Sequence, residues 1–316
     1  KNRQKSFISI YRENQQLNDR ISNLENYIED MKYELGEKNL NLPVILDGQS
    51  LLEKVIADNT SIVRFGDGEF EMMLGRRRPW FQCPDENLTK RLKEIISCND
   101  SNINVAVANN FYNLKRFNDK AIDEIRKYMS NGTREEIAAL LDADKVYYDA
   151  YVSRPYILSR ESENASQIFS LYKRIWDKRD VLLIEGEYSR FGINNDLLSN
   201  ANSIKRIICP KSNAWDKYEA ILNVCMANIK SGMLALVTLG PTATVLAYDI
   251  AMAGCQAIDI GQLDNEYDWF LKGCGERTLI EGKLVAEVFD AEGNPIFDSI
   301  EISNSEYESQ IIEKII

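Results

Sequence analysis

The sequence predicts an α/β fold, a mostly parallel sheet with helices on both faces, preceded by an N-terminal coiled-coil helix. Two observations carry this. From about residue 44 onward, short apolar runs alternate with longer helical-looking stretches, the pattern of a parallel sheet with crossover helices. Before that point, residues 7–35 carry an unbroken heptad. The 316 residues therefore divide into a helix over 1–40 and a domain over 44–316. A C-terminal hairpin and a short helix are expected from about residue 283.

In the heptad, Phe7, Asn14, Ile21, Ile28 and Leu35 fall at one core position, and Ile10, Leu17, Leu24 and Met31 at the other. Isoleucine and leucine at these positions, with a single Asn14, suggest a parallel homodimer. A helix packed on its own domain is the competing reading. Gly36 and Pro43 punctuate its end.

Strands are expected at Ser61–Phe65, Ile103–Ala108, Val181–Glu185, Ile204–Cys209, Leu234–Leu239 and Ala257–Ile260. Helices are expected at Leu88–Ile96, Asp119–Met129, Ala165–Lys173, Ala214–Ile229 and Thr242–Ala253. Near the end, Lys283–Phe289 and Ile296–Ile302 flank a turn-rich segment that signals a hairpin. Ser305 with Glu308 then forms a capping pair for a last helix.

Composition narrows the chemistry. A formal charge of −11 argues against nucleic acid or an anionic membrane as a general partner. No apolar run reaches the ~20 residues of a membrane span. The chain begins at Lys1 without a signal-peptide pattern, which reads as a fragment of a longer protein. Six scattered cysteines without a CxxC pair fit a reducing compartment. The absence of histidine rules out Ser-His-Asp and Cys-His catalysis and every His-containing metal site. A base must then be a carboxylate, Lys, Tyr or the substrate, and a metal a hard ion on oxygen ligands.

Four polar clusters sit where apolar runs end, where parallel sheets bind ligands. The first is Arg64-Phe-Gly-Asp67-Gly-Glu69. Read as extended, it points both carboxylates to one side, where they can share a divalent ion with a diphosphate. A tight Asp-Gly turn is the alternative, and Arg64 can equally pair with a buried carboxylate. The second is Gly240-Pro-Thr242-Ala-Thr244, a helix start suited to phosphate or to simple capping. The third is Glu185-Gly-Glu187-Tyr-Ser189-Arg190 with Asn194-Asn195-Asp196, joined by Arg154 as a further phosphate cation; solvated ion pairs are the bland alternative for both arginines. The fourth, Ile258-Asp-Ile-Gly261-Gln262-Leu-Asp264, breaks into an acidic, aromatic segment. A carboxylate there can act as base, and Gln262 can reach a metal.

Together Arg64-Phe-Gly-Asp67-Gly-Glu69, Glu185-Gly-x-x-Ser189-Arg190, Asn195-Asp196, Cys209-Pro-x-x-Asn213-Ala, Leu239-Gly-Pro-Thr242-Ala-Thr244 and Ile258-Asp-Ile-Gly261 resemble the GT-D-type bacterial glycosyltransferases. The resemblance covers about residues 45–280 in unchanged motif order. It implies a Rossmann-like fold, a UDP-sugar donor with glucose first, and Mn²⁺ or Mg²⁺ on an Asp-x-Glu motif that maps onto Asp67 and Glu69. It also implies a carbohydrate-bearing acceptor in surface glycan or glycoprotein assembly. The family often has histidine where this chain has Gln262.

The expected enzyme is thus a cytoplasmic, dimeric hexosyltransferase, brought to the inner face of the membrane through partners. Asp67, Glu69 and Gln262 are the metal candidates. Arg64, Arg154, Ser189, Arg190 and Thr242 are the donor-binding candidates, and Asp264 or Glu187 the base. A non-catalytic nucleotide-sugar-binding subunit and a nucleotide-diphosphate hydrolase are the alternatives.

Overall fold

A computed structural model describes residues 2–37, 40–76, 81–288, 296 and 304–316. One sheet of nine parallel strands organises it, in the order β1-β4-β3-β2-β8-β7-β5-β6-β9. The strands are β1 (Val44–Leu46), β2 (Ser61–Phe65), β3 (Ile103–Val107), β4 (Val146–Asp149), β5 (Asp180–Gly186), β6 (Ser203–Cys209), β7 (Leu234–Thr238), β8 (Gln256–Asp259) and β9 (Ile311–Lys314). The helices are α1 (Asn2–Glu37), α2 (Gly48–Asp58), α3 (Asp67–Met73), α4 (Glu86–Ile96), α5 (Asp119–Tyr128), α6 (Thr133–Ala138), α7 (Ala165–Ile175), α8 (Tyr218–Asn228), α9 (Pro241–Met252), α10 (Leu263–Lys272) and α11 (Ser305–Gln310).

Strand alternation splits the core between the two faces of the sheet. Val63 and Phe65 of β2, with Leu182 and Ile184 of β5 and Ala235 and Val237 of β7, pack under α4, α5, α8 and α9. Their neighbours Ile62, Val181, Leu183, Leu234, Leu236 and Ile258 pack under α2 and α7. Residues buried on both faces give the continuous apolar runs by which these strands are found. Local signals agree: Asp47 caps α2 by accepting from the Ser50 N–H at 2.9 Å, Asn118 caps α5, and Gly273 in the left-handed region ends α10.

The six expected strands form within a residue or so of their bounds. Three more lie at or near the sheet edges. β1 and β4 are short and half-exposed, and β9 adds in parallel to β6. The segment from Asp67 is not extended but the first turn of α3, where the Glu69 side chain accepts from the Gly66 N–H at 2.7 Å. Lys283–Val288 forms turns rather than a strand, and the rest of the expected hairpin falls largely outside the described residues. The cap of α11 is Asn304, accepting from Tyr307 N–H, rather than Ser305.

α1 is helical as expected. Its described heptad residues Leu17, Ile21, Leu24, Ile28, Met31 and Leu35 are 46–60% exposed; the side chains of Phe7 and Ile10 are not described. The end of α1 is held by the domain. Arg126 pairs with Asp30, and the Tyr33 hydroxyl donates to the Asn110 carbonyl. The Arg134 guanidinium lies 4.2 Å above the Tyr33 ring, and Gly36 passes so close that a Cβ would meet Arg134 Nη2 at 2.0 Å. No helix among the described residues is long and apolar enough to cross a membrane.

Candidate functional site

Because all the strands run parallel, their carboxyl ends open on one edge of the sheet, and a cavity of about 580 Å³ lies there. The exits of β2, β3, β5, β6, β7 and β8 all contribute to its wall, as does the segment after β4. Each of the four polar clusters reaches it, so the expected convergence is present.

Arg64 lies at the centre. Its Nε donates to the Asp259 carbonyl at 3.1 Å, Nη2 to Asp259 Oδ1 at 3.0 Å and Nη1 to Ser153 Oγ at 2.9 Å. Thr244 Oγ1 donates to the Arg64 carbonyl at 2.8 Å. Burial pushes the Asp259 carboxyl up while Arg64 draws it back. Of the two readings of Arg64, partner of a buried carboxylate and phosphate ligand, the bond to the Asp259 carboxylate matches the first. The two bonds to Asp259 pin β2 to β8. Gly261, at φ +55°, lies against this guanidinium, and a Cβ there would meet Arg64 Nη2 at 2.2 Å.

Asp67 and Glu69 both line the cavity, but they do not project together from an extended strand. Residues i and i+2 of a helix point to different sides. Asp67 is exposed at the cavity, and its Oδ1 accepts from the Gly68 N–H at 2.9 Å. Glu69 turns inward to Gly66. Burial, and then the neighbouring Asp259, push its carboxyl up to about 7, against the pull of Arg64. Gln262 lines the same cavity, with its Oε1 accepting from Asn265 Nδ2 at 2.8 Å. Among the described residues no group of three acidic or cysteine side chains is placed to hold a metal. The oxygen chemistry of two carboxylates and an amide carbonyl suits Mn²⁺ or Mg²⁺. Glu69 is turned to Gly66, however, and Gln262 Oε1 is taken by Asn265, so both would have to turn toward Asp67 to share an ion with a diphosphate.

Several donor-site expectations change. Thr242 is fully buried and faces Gln82 Oε1 at 3.4 Å; Gly240 and Pro241 form the cavity wall in its place. The helix start packs its hydroxyls inward because α9 lies against β2 and β8. Arg190 also turns away: its Nη1 donates to the Gly282 carbonyl at 2.9 Å and its guanidinium lies 5.9 Å from the Tyr307 ring. Ser189 and Arg154 do line the cavity. Arg154 forks onto Glu287, which outweighs burial and holds the guanidinium above its ordinary pKa.

The two base candidates separate. Asp264 borders the cavity, yet its carboxylate accepts from Gly192 N–H at 2.9 Å, Asn195 Nδ2 at 2.8 Å and the buried Lys283 ammonium at 2.6 Å. That carboxylate is engaged in holding loops together and is paired with a buried ammonium. Glu187, half-buried on the cavity wall, is the better placed of the two.

Sequence reasoning missed Lys211, Arg277 and Glu287, all of which line the cavity. Lys211 follows β6 directly, so the strand-exit rule that found the others would have found it. Arg277 and Glu287 follow α10 at no strand exit, and nothing in the sequence marks them.

The glycosyltransferase GT-D fold family model matches residues 62–288. A protein of Streptococcus pneumoniae serotype 4 named glycosyltransferase GlyD is 35% identical over 282 residues, 89% of this chain and 33% of its own length. A probable glycosyl transferase Gly of Streptococcus gordonii is 33% identical over 86% of this chain and 39% of its own. The chain thus spans between about a third and two fifths of the length of these curated relatives. Among solved structures, one described as the highly conserved domain of unknown function 1792 with a distinct glycosyltransferase fold superposes with a TM-score of 0.80 at 34% identity, covering 88% of this chain and 98% of that one. A new glycosyltransferase (DUF1792) from Streptococcus sanguinis gives 0.79 at 33% identity, covering 87% and 100%.

Proposed function

The chain belongs to the GT-D-fold glycosyltransferase family, and from that premise we propose that it transfers a sugar from a UDP-sugar, glucose first, to a carbohydrate-bearing acceptor. The observation that carries this is the convergence of Asp67, Glu69, Glu187, Ser189, Lys211 and Gln262 on one cavity of about 580 Å³, within the ~300–1,000 Å³ typical of small-molecule sites.

In this reading Asp67 and Glu69, with the Gln262 carbonyl, would hold Mn²⁺ or Mg²⁺. Such an ion, when bound, supplies charge stabilisation for the departing diphosphate. Lys211 and Arg154 add fixed positive charge for the same oxygens, and the Ser189 hydroxyl donates to them. Glu187 takes the proton of the acceptor hydroxyl. The acceptor oxygen bonds to the anomeric carbon as the carbon–oxygen bond to the diphosphate breaks, and that electron pair leaves with UDP. Arg64 touches neither partner: it fixes the β2–β8 exits so that Gly66 and Gly261 present their chain segments to the cavity.

Thermal shift and calorimetry with a UDP-sugar panel and Mn²⁺ test the donor site. Wild type should be stabilised and Asp67→Ala/Glu69→Ala should not; an equal response from both sinks the assignment. Release of UDP only in the presence of acceptor supports transfer. Acceptor-independent release indicates a hydrolase, and binding without turnover a binding subunit.

We also propose that the exposed heptad face of α1 pairs with a second copy of this chain. Single apolar residues on a surface are common, but six on one heptad stripe are the seam of a coiled coil. Leu24→Lys/Ile28→Lys should give a monomeric mass by light scattering where wild type is dimeric. An unchanged mass removes the proposal. The place of action proposed for this enzyme is the cytoplasm, at surface glycans or glycoproteins under assembly.

A further inference from the structure

Beside the candidate metal ligands, the cavity wall carries a second charged group. Arg154 and Arg277 both engage the carboxylate of Glu287. Arg154 Nη1 donates to Oε2 at 2.9 Å, its Nη2 closes a second bond to Oε1, and Arg277 Nε lies 3.1 Å from Oε2. Arg277 Nη1 in turn donates to Glu124 Oε2 at 3.2 Å. All four side chains line the cavity. Arg154 forks onto both oxygens, while Arg277 Nε is at ion-pair distance from Oε2 without a hydrogen bond to satisfy it. The two guanidinium groups together offer the kind of donors that recognise phosphate.

The segment carrying Glu287 is fastened upstream of it. The Lys283 ammonium is buried between Asp264 and Asp268 at 2.6 Å from each, and Leu284 N–H donates to the Tyr188 carbonyl at 2.9 Å. Val285 is buried in the cluster with Trp269, Ile157 and Ile280. The backbone is therefore fixed, while the Glu287 side chain is about one quarter exposed. Rotation of that one side chain uncovers the fork without unfolding the segment.

We propose that Arg154 and Arg277 form the diphosphate-binding fork of this cavity, and that Glu287 is its built-in competitor, exchanged for the phosphate oxygens when donor binds. This deepens the donor-site reading and rests on it. It makes Arg277 a binding residue and Glu287 a determinant of donor affinity. The competition discriminates by charge: a ligand group bearing one negative charge only replaces what Glu287 already supplies, whereas a diphosphate brings more charge and more oxygens.

The test uses inorganic pyrophosphate and UDP as probes, titrated by calorimetry against the full chain. Glu287→Gln keeps the shape of the side chain and removes its charge, so both probes should bind about five- to tenfold more tightly. Arg277→Gln should weaken both by a similar factor. Inorganic sulfate, a single divalent anion, should gain less from Glu287→Gln than pyrophosphate does. Equal or weaker binding of pyrophosphate by a folded Glu287→Gln variant, confirmed by an unchanged circular dichroism spectrum, overturns the proposal. So does an Arg277→Gln variant that binds as wild type. The outcome is separable from that of the donor reading. Pyrophosphate affinity that shifts as stated while no UDP-sugar is turned over leaves the fork standing and removes glycosyl transfer. Turnover without the shift does the reverse.

Discussion

Replacing Lys283 with methionine should test how the floor of the cavity is held. The ammonium is 1% exposed and lies 2.6 Å from Asp264 Oδ2 and 2.6 Å from Asp268 Oδ2, whose side chains are 5% and 6% exposed. Methionine fills similar space but leaves two buried carboxylates facing each other, with Asn195 Nδ2 donating to both. Removing one partner from a buried ion pair costs about 3–5 kcal/mol, and this cation serves two. In wild type, burial opposes the charge, but the two aspartates outweigh it and lift the Lys283 pKa. A raised lysine pKa contributes stability that is complete at neutral pH and is lost only as pH climbs through the raised value. Burial and Asp264 already push the Asp268 carboxyl up, and without the ammonium it rises further. The folded variant then binds protons more readily than its unfolded chain. It should regain stability as pH falls from 7 toward the ordinary aspartate range near ~4. Urea denaturation at pH 7.5 and pH 5.5 measures both effects, and Lys283→Met/Asp268→Asn should recover part of the loss. A loss under about 1 kcal/mol at pH 7.5, or no recovery at the lower pH, refutes the reasoning.

Two further outcomes follow from the same geometry. Glu69 sits near pH 7; below that value it gains a proton and loses its charge, so Mn²⁺-dependent UDP binding should weaken between about pH 7.5 and 6, whereas Glu69→Gln should bind weakly with little pH dependence across that window. Gly261→Ala places a Cβ against Arg64 at φ +55°, which should cost at least ~1–3 kcal/mol by denaturant melt and lower donor affinity as the β2–β8 pin shifts; wild-type stability in this variant would show that the pin is not tight.

How much of this was legible depended on which surroundings each residue meets. The central strands announce themselves because Ile62, Val63, Leu183 and Val237 are buried whichever face they meet. β1 and β4 are three and four residues long, and each begins on an exposed residue, so they leave no such run. Asp67-Gly-Glu69 reads as a turn because glycine flanks the aspartate, and the reciprocal bond from Gly66 to Glu69 that starts a helix there is weak as a sequence pattern. The cavity was legible as a set of strand exits, since parallel topology sends them all to one edge. The direction of Thr242 and Arg190 was not, because it is set by Gln82 and Tyr307, 160 and 117 positions away in the chain. Arg277 and Glu287 were invisible for the same reason: their meaning lies in each other.

The grip of the domain on α1 runs through α5. One side of that helix offers Arg126 to Asp30, while Ala121, Ile125 and Tyr128 form part of the cavity wall. Beside it, Asn110 accepts from Tyr33 and also borders the cavity. α1 is about 54 Å long at ~1.5 Å per residue, so it acts as a lever whose fulcrum is a helix one third its length. Torque applied anywhere along that lever is borne by the panel that also walls the cavity.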